Sequence, residues 1–380
     1  MSPSKPPHPR HSHGPDGAAT SRSRLGQDDG RSVVCILGLG QMGIVCANIL
    51  AGSGPASSLP VKRPMKVVMW GHTTEEAGEL SQARQSIRLP GCEIPKDAEV
   101  TWRDEQVSRA NLIISAVPVQ FTREAWVRLA PHVPAGVGVV SVAKGIETGT
   151  MLRPTQVIAE VLRQSGRDNP DGAPRPIATL SGPTIAPELA RCLPAAMIAA
   201  SDDAVFAQQV QALFSNSWLR VYTNPDVLGV ELAGAVKNVV AIAAGICDGL
   251  QAGYNAKSTL LARGLAEITR LGVAMGSGRE TFFGVAGVGD LATTCFSPEG
   301  RNRSCGEALG KGRKLDEYLA QSPHVVEGVE TTRAVLELAK KYRVEMPIVA
   351  SVHAVLFEGM DPIDAIGQLM SREQKAERVG

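Results

Sequence analysis

The chain has 380 residues, is 43% hydrophobic and 20% charged, and its 39 Lys+Arg against 38 Asp+Glu leave a formal net charge of +1. That length suits two domains, and a balance so near zero supplies no general pull toward nucleic acid or an anionic membrane surface. An anionic ligand would have to be held by basic residues placed locally.

Residues 1–32 are rich in Pro, Ser, Gly, His and Arg and carry almost nothing that packs, which predicts a disordered tail. His8, His11 and His13 in that tail read as incidental histidines of a solvated segment, and no metal site is expected. From Arg31 onward short apolar runs alternate with helical patterns, the signature of a parallel sheet with crossover helices. Predicted strands are Val33–Leu37, Lys66–Trp70, Leu112–Val117, Val137–Val142 and Ile177–Leu180, with a surface loop over 166–176. Beyond about Asn224 strand signals fade and long Ala/Leu/Val-rich stretches take over. The expected fold is therefore an α/β Rossmann-type N-terminal domain over 33–224 followed by an all-α C-terminal domain over 225–380.

Seven cysteines (Cys35, Cys46, Cys92, Cys192, Cys247, Cys295, Cys305) form no CxxC pair, and several lie within apolar runs, so reduced thiols are expected. No stretch reaches the roughly 18 uninterrupted apolar residues of a membrane span, and the N-terminus lacks the apolar core of a secretory signal. A cytoplasmic location is the expectation.

The first motif is Gly38-Leu39-Gly40-Gln41-Met42-Gly43, directly after the strand VVCIL and opening the helical stretch IVCANILA. Glycines there permit a tight turn and close approach of backbone to a pyrophosphate, while the helix N-terminus offers unpaired N–H groups. A lone Gly-x-Gly-x-x-Gly is a weak signal, but the strand and helix it requires are present on both sides. The second strand runs into Trp70-Gly71-His72, without the acid that usually binds the ribose 2′-hydroxyl of NAD. An extra stretch, Gly52 to Pro64, carries Lys62 and Arg63, which could approach a 2′-phosphate. NADP is accordingly preferred over NAD, the alternative being that His72 stacks near the adenine and both cofactors bind.

Val117-Pro118-Val119-Gln120, Ala143-Lys144-Gly145 and Ser181-Gly182-Pro183-Thr184 all follow predicted strands, where open α/β sheets bind ligands. Turns account for the prolines and glycines but not for a lysine in an apolar stretch, so Lys144 is expected to face the ligand. In the helical half, Gly229 to Gly245 is apolar on nearly every side apart from Glu231, Lys237 and Asn238. A buried lysine is costly unless paired, and serves an ion pair or chemistry. Asp290 in GVGDL is a possible partner, and Arg301 with Asn302 could grip a phosphate or carboxylate.

Together these residues closely resemble the bacterial-type NAD(P)-dependent glycerol-3-phosphate dehydrogenases. The resemblance is carried by GLGQMG, VPVQ, AKG, LSGPTIAPELA, NPDVLGVELAGAVKNVVAIAAGICDGL, GVGDLATTC, GRNR and VVEGVETT, in unbroken order over roughly residues 33 to 365. It implies interconversion of dihydroxyacetone phosphate and sn-glycerol 3-phosphate by hydride transfer, supplying glycerol 3-phosphate for phospholipid synthesis, in a homodimer. It implies Lys237 as proton donor and acceptor, with Lys144, Gly182, Thr184, Asn238, Asp290, Thr294, Gly300, Arg301 and Asn302 at the substrate. Gln41, Met42, His72, Lys144, Ala186, Arg301, Val325 and Glu327 would line the cofactor beside Gly38, Gly40 and Gly43. Three departures stand out: the tail, the 52–64 insertion, and Gly300 where the family's usual Ser would give a hydroxyl. A non-catalytic dinucleotide-binding protein would be free to lose Lys237 or the Arg301-Asn302 pair, and a β-hydroxyacid dehydrogenase would space its Lys and Asn differently. The adjacent Lys237-Asn238 with SGPT and RNR disfavours both.

Overall fold

The computed structural model describes residues 32–52, 65–168, 172–322, 324–374 and 376–377. The expectations for the first 31 residues, with His8, His11 and His13, and for Lys62 and Arg63 fall outside the described residues.

Eight strands form one sheet: β1 Val33–Leu37, β2 Lys66–Trp70, β3 Glu99–Thr101, β4 Leu112–Ser115, β5 Gly138–Ser141, β6 Ile177–Ser181, β7 Ala195–Ser201 and β8 Leu219–Asn224. Their order is β3-β2-β1-β4-β5-β6-β7-β8, and the reversal of winding between β1 and β4 is the switch point at which such sheets bind ligands. β1 is buried along its whole length, as expected of a central strand covered on both faces.

The structure corrects the sequence reading in two respects. β3, β7 and β8 were not predicted: β3 has three residues, β7 is alanine-rich and lacks the β-branched pattern, and β8 is an edge strand. The sheet is also not wholly parallel, because β7 runs antiparallel to β6, with Ser181 opposite Ile198. Val33–Leu37 and Lys66–Trp70 coincide with the observed strands, and the ends of the other three predicted strands differ by one or two residues, as between Leu112–Val117 and β4.

Fourteen α-helices accompany the sheet among the described residues. α1 Gln41–Ala51, α2 Thr74–Ala83, α3 Val119–Leu129, α4 Pro154–Gln164, α5 Ala186–Ala190 and α6 Ala204–Phe214 alternate with the strands. After β8 come α7 Val227–Gly249, α8 Gly253–Met275, α9 Asp290–Phe296, α10 Arg301–Gly310, α11 Leu315–Gln321, α12 Glu327–Tyr342, α13 Pro347–Phe357 and α14 Pro362–Met370. One apolar cluster packs on each face of the sheet, and a third, built around α7, forms the core of the helical half.

Two close approaches position the site. Gly38 has φ +108°, and a Cβ at Gly43 would lie 2.2 Å from the Gly38 carbonyl oxygen, so the β1–α1 turn closes only with glycines. A Cβ at Gly245 would lie 1.9 Å from the Arg303 carbonyl oxygen, and one at Gly306 1.9 Å from that of Ile242. Backbone contact between α7 and α10 brings Arg301 and Asn302 into the cleft that Lys237 and Asn238 also line. α7 is long and apolar enough to cross a membrane, but 89% of its apolar window is buried inside the protein, which makes it a core helix.

Candidate active site

A cleft of about 420 Å³ opens between the carboxyl edge of the sheet and the helical half. From the sheet it is lined by the loops after β1 (Gly38 to Met42), β4 (Val117, Pro118), β5 (Ala143, Lys144) and β6 (Thr184 to Pro187). The helical half contributes Lys237, Asn238, Thr294, Gly300, Arg301, Asn302, Val325 and Glu327.

At its inner end one carboxylate holds two ammoniums. Asp290, 1% exposed, places Oδ2 at 2.6 Å from Lys144 Nζ and Oδ1 at 2.8 Å from Lys237 Nζ. Lys144 also donates to the Gly182 carbonyl at 2.8 Å and to Thr184 Oγ1 at 3.2 Å, so all three of its N–H groups are engaged. Among the described residues Lys237 has one other partner, Thr294 Oγ1 at 2.5 Å, and that hydroxyl in turn donates to the Asp290 carbonyl at 2.7 Å. Lys237 therefore keeps a proton for the cleft where Lys144 has none to spare. Burial pushes the Lys144 ammonium down to about 8, with Asp290 opposing the shift and Lys237 adding to it. Burial raises the Glu327 carboxyl, opposed by Arg301, Lys144 and Lys237.

Arg301 opens α10, lines the cleft, and has no hydrogen-bond or ion-pair partner among the described residues. Gly300 is the N-cap of that helix and provides no side-chain cap, which leaves the first N–H groups of α10 for a ligand. Asn238 Nδ2 is buried without a partner among the described residues, a donor that a ligand would satisfy. Asn302 is instead committed: its Oδ1 accepts from Gly328 N at 2.9 Å and ties α10 to α12.

The nucleotide end has matching chemistry. The N-terminus of α1 has neither a side-chain cap nor an acid in its first turn, and a Cβ at Gly40 would meet nothing within 4 Å. Its backbone donors thus face open space fit for a pyrophosphate.

Of the residues singled out from sequence, Gly38, Gly40, Gln41, Met42, His72, Lys144, Thr184, Ala186, Lys237, Asn238, Thr294, Gly300, Arg301, Asn302, Val325 and Glu327 all line this cleft. Gly43, Gly182 and Asp290 do not; they stand behind it, Gly43 closing the turn and the other two holding lysines. Sequence reasoning missed Glu76, Arg88, Phe121, Glu124 and His324, which the cleft lining also includes. It also missed the supports of the site. Gln120 donates to the Ile146 carbonyl at 2.8 Å and accepts from Thr148 N and Oγ1, clamping the loop that carries Lys144. Asp226 caps α7 at Gly229 N and accepts from Ser277 and Thr281 in the segment that leads to Asp290.

Comparison with known proteins decides the family. Residues 33–207 match the N-terminal family model of NAD-dependent glycerol-3-phosphate dehydrogenase, and residues 226–367 match the C-terminal one. The chain belongs to the NAD-dependent glycerol-3-phosphate dehydrogenase family. Glycerol-3-phosphate dehydrogenase [NAD(P)+] of Pelotomaculum thermopropionicum is 42% identical over 346 residues, covering 90% of this chain and 94% of the relative. The enzyme of the same name from Koribacter versatilis is 43% identical over 349 residues, covering 91% and 99%. A crystal structure of the Coxiella burnetii family member superposes with a TM-score of 0.81 at 33% identity, over 90% of this chain and 99% of that one.

Proposed function

We propose that the chain interconverts dihydroxyacetone phosphate and sn-glycerol 3-phosphate with NAD(P)H, with Lys237 as general acid and base. The observation that carries this reading is the unequal engagement of the two lysines on Asp290. Lys144 is held in place by three acceptors, and Lys237 retains a donor toward the cleft. When bound, the nicotinamide supplies the hydride that adds to the C2 carbonyl carbon. As negative charge develops on the carbonyl oxygen, Lys237 donates its proton there, and Lys144 with the partnerless Asn238 amide stabilises the same charge. Arg301 and the N-terminus of α10 hold the phosphate, with the first N–H groups of the helix serving where Gly300 offers no hydroxyl. Gly182 and Asp290 act through the lysines they fix. Initial rates with dihydroxyacetone phosphate and with 2-oxo acids, each with NADH and NADPH, test substrate class and cofactor together. Comparable rates on the oxo acids would overturn the phosphate assignment.

Arg301→Ala is expected to lower kcat/KM for dihydroxyacetone phosphate roughly ten- to a hundredfold, the effect of a lost charged hydrogen bond worth ~1.5–3 kcal/mol. Arg301→Lys restores the charge without the planar fork and should recover part of that loss. Dihydroxyacetone, with the same carbonyl and no phosphate, is the control: its poor rate should barely change. A proportional loss on both substrates would place Arg301 at the reacting centre instead.

The Lys144 charge sets a pH dependence. Its ammonium is present below about 8 and lost above it, so the positive field on the developing carbonyl-oxygen charge weakens as pH rises through that value. We expect kcat/KM for the phosphate substrate to fall above pH 8. A profile flat to about pH 9.5 would show that this charge is not required.

Six buried cysteines, with Cys192 partly exposed, are all unpaired thiols, which supports assignment to a reducing compartment, the cytoplasm. A homodimer and a role in supplying glycerol 3-phosphate for phospholipid synthesis follow from the resemblance. NADP is our preferred cofactor, since His72 stands at the end of β2 where an acid would repel a 2′-phosphate.

A further inference from the structure

We propose that the ion pair between Glu76 and Arg88 selects between the two cofactors, Glu76 receiving the adenosine ribose hydroxyls of NAD(H) and Arg88 the 2′-phosphate of NADP(H). This rests on the cofactor reading above and deepens it.

In a doubly wound sheet the residues just beyond the second strand face the adenosine ribose. Here that place is filled by His72, and the next carboxylate that lines the cleft is Glu76, in the first turn of α2. Thr73 caps that turn by accepting from Glu76 N at 3.2 Å, which fixes the backbone of Glu76 at the cleft wall. Arg88 reaches the same wall from the segment after α2. Its carbonyl accepts from Gln41 Nε2 at 2.6 Å, so its backbone is anchored to the Gly-rich turn beneath the pyrophosphate position. The Arg88 guanidinium then turns back to Glu76 through Nη1 and Oε1.

The strength of this pair makes it suited to switching. Its side chains are 39% and 32% exposed, and an ion pair so open to water contributes little to stability. A dianionic phosphate offers Arg88 more charge and a bidentate partner, so the guanidinium can leave Glu76 at small cost. The neighbouring guanidinium has no such freedom. Arg128 is bound to Asp104 at 2.7 Å and to the His72 carbonyl at 2.8 Å, and lies over the Trp70 ring. Glu124 on α3 lines the same cleft and adds negative charge, which leaves Arg88, among the described arginines and lysines, as the phosphate's counter-charge on this wall. Without Arg88, Glu76 would repel the 2′-phosphate; without Glu76, NAD would lose a carboxylate for its ribose.

The test is calorimetric binding of ADP-ribose and 2′-phospho-ADP-ribose to the whole protein, alongside kcat/KM for NADH and NADPH. Glu76→Gln should shift the ratio of affinities roughly tenfold toward the phosphorylated ligand, and Arg88→Met should shift it roughly ten- to a hundredfold the other way. Arg88→Lys, which keeps the charge, should retain part of the phosphate preference. Ratios unchanged in both variants, or equal weakening of both ligands by Arg88→Met, would overturn the proposal. Failure of the parent protein to bind either ligand would overturn the cofactor reading itself and this inference with it.

Discussion

Lys237→Ala is expected to reduce turnover about 10²- to 10⁴-fold while leaving the affinity for NAD(P)H little changed. The span is that of a positioned general acid, and the geometry explains why it falls on this lysine. Lys144 spends its three donors on Gly182, Thr184 and Asp290, whereas among the described residues Lys237 is bound only to Asp290 and Thr294. In the variant Asp290 keeps Lys144 as partner, so the buried carboxylate is not left without a counter-charge. A collapse of the site is therefore not the expected cause of the loss, and cofactor affinity measured by fluorescence titration provides the check. Turnover within threefold of the parent would remove Lys237 from proton transfer. A matching fall in cofactor affinity would make its role architectural.

The parts of this site that were legible in the sequence share one physical property. Lys144, Lys237 and Asp290 are charged residues in apolar surroundings, and a buried charge must find a partner wherever the chain brings one. The structure brings the two lysines to opposite oxygens of the one carboxylate, though Asp290 is separated from Lys144 by 146 positions in the chain. The Gly-rich turn was legible because strand and helix flank it, and the helical second half because the strand pattern stops at Asn224. Glu76 and Arg88 gave no such signal. Each is an ordinary surface charge in sequence, and only the register of α2 and the anchoring of Arg88 to Gln41 turn them toward the cleft. The antiparallel entry of β7 was hidden for a different reason: alanine-rich segments satisfy helix and buried strand alike, and tertiary packing decides between them.

Asp290→Asn should be the most damaging substitution of similar shape in the molecule, because it removes the negative charge shared by two buried ammoniums. Breaking one buried ion pair typically costs about 3–5 kcal/mol, most of it the penalty of the charge left behind. Two lysines, 6% and 13% exposed at residue or side-chain level, would be left facing a neutral amide. Either both stay charged at that cost, or one sheds its proton. The first choice falls on Lys144, which burial already brings down to about 8. The sign of the pH dependence follows. A lysine whose folded pKa lies below its unfolded value leaves the folded protein with fewer bound protons, so stability rises with pH through that window. With Asp290 gone the window widens downward from the parent's 8 to 10.5 interval. The loss relative to the parent in urea denaturation should therefore be larger at about pH 6 than at about pH 8, above which both proteins gain stability with pH alike. Ketone reduction, which needs an ammonium to give up a proton, should fall at least 10²-fold at pH 7. A stability loss of equal size at both pH values would mean that Asp290 matters through packing, and that the two lysines do not depend on its charge.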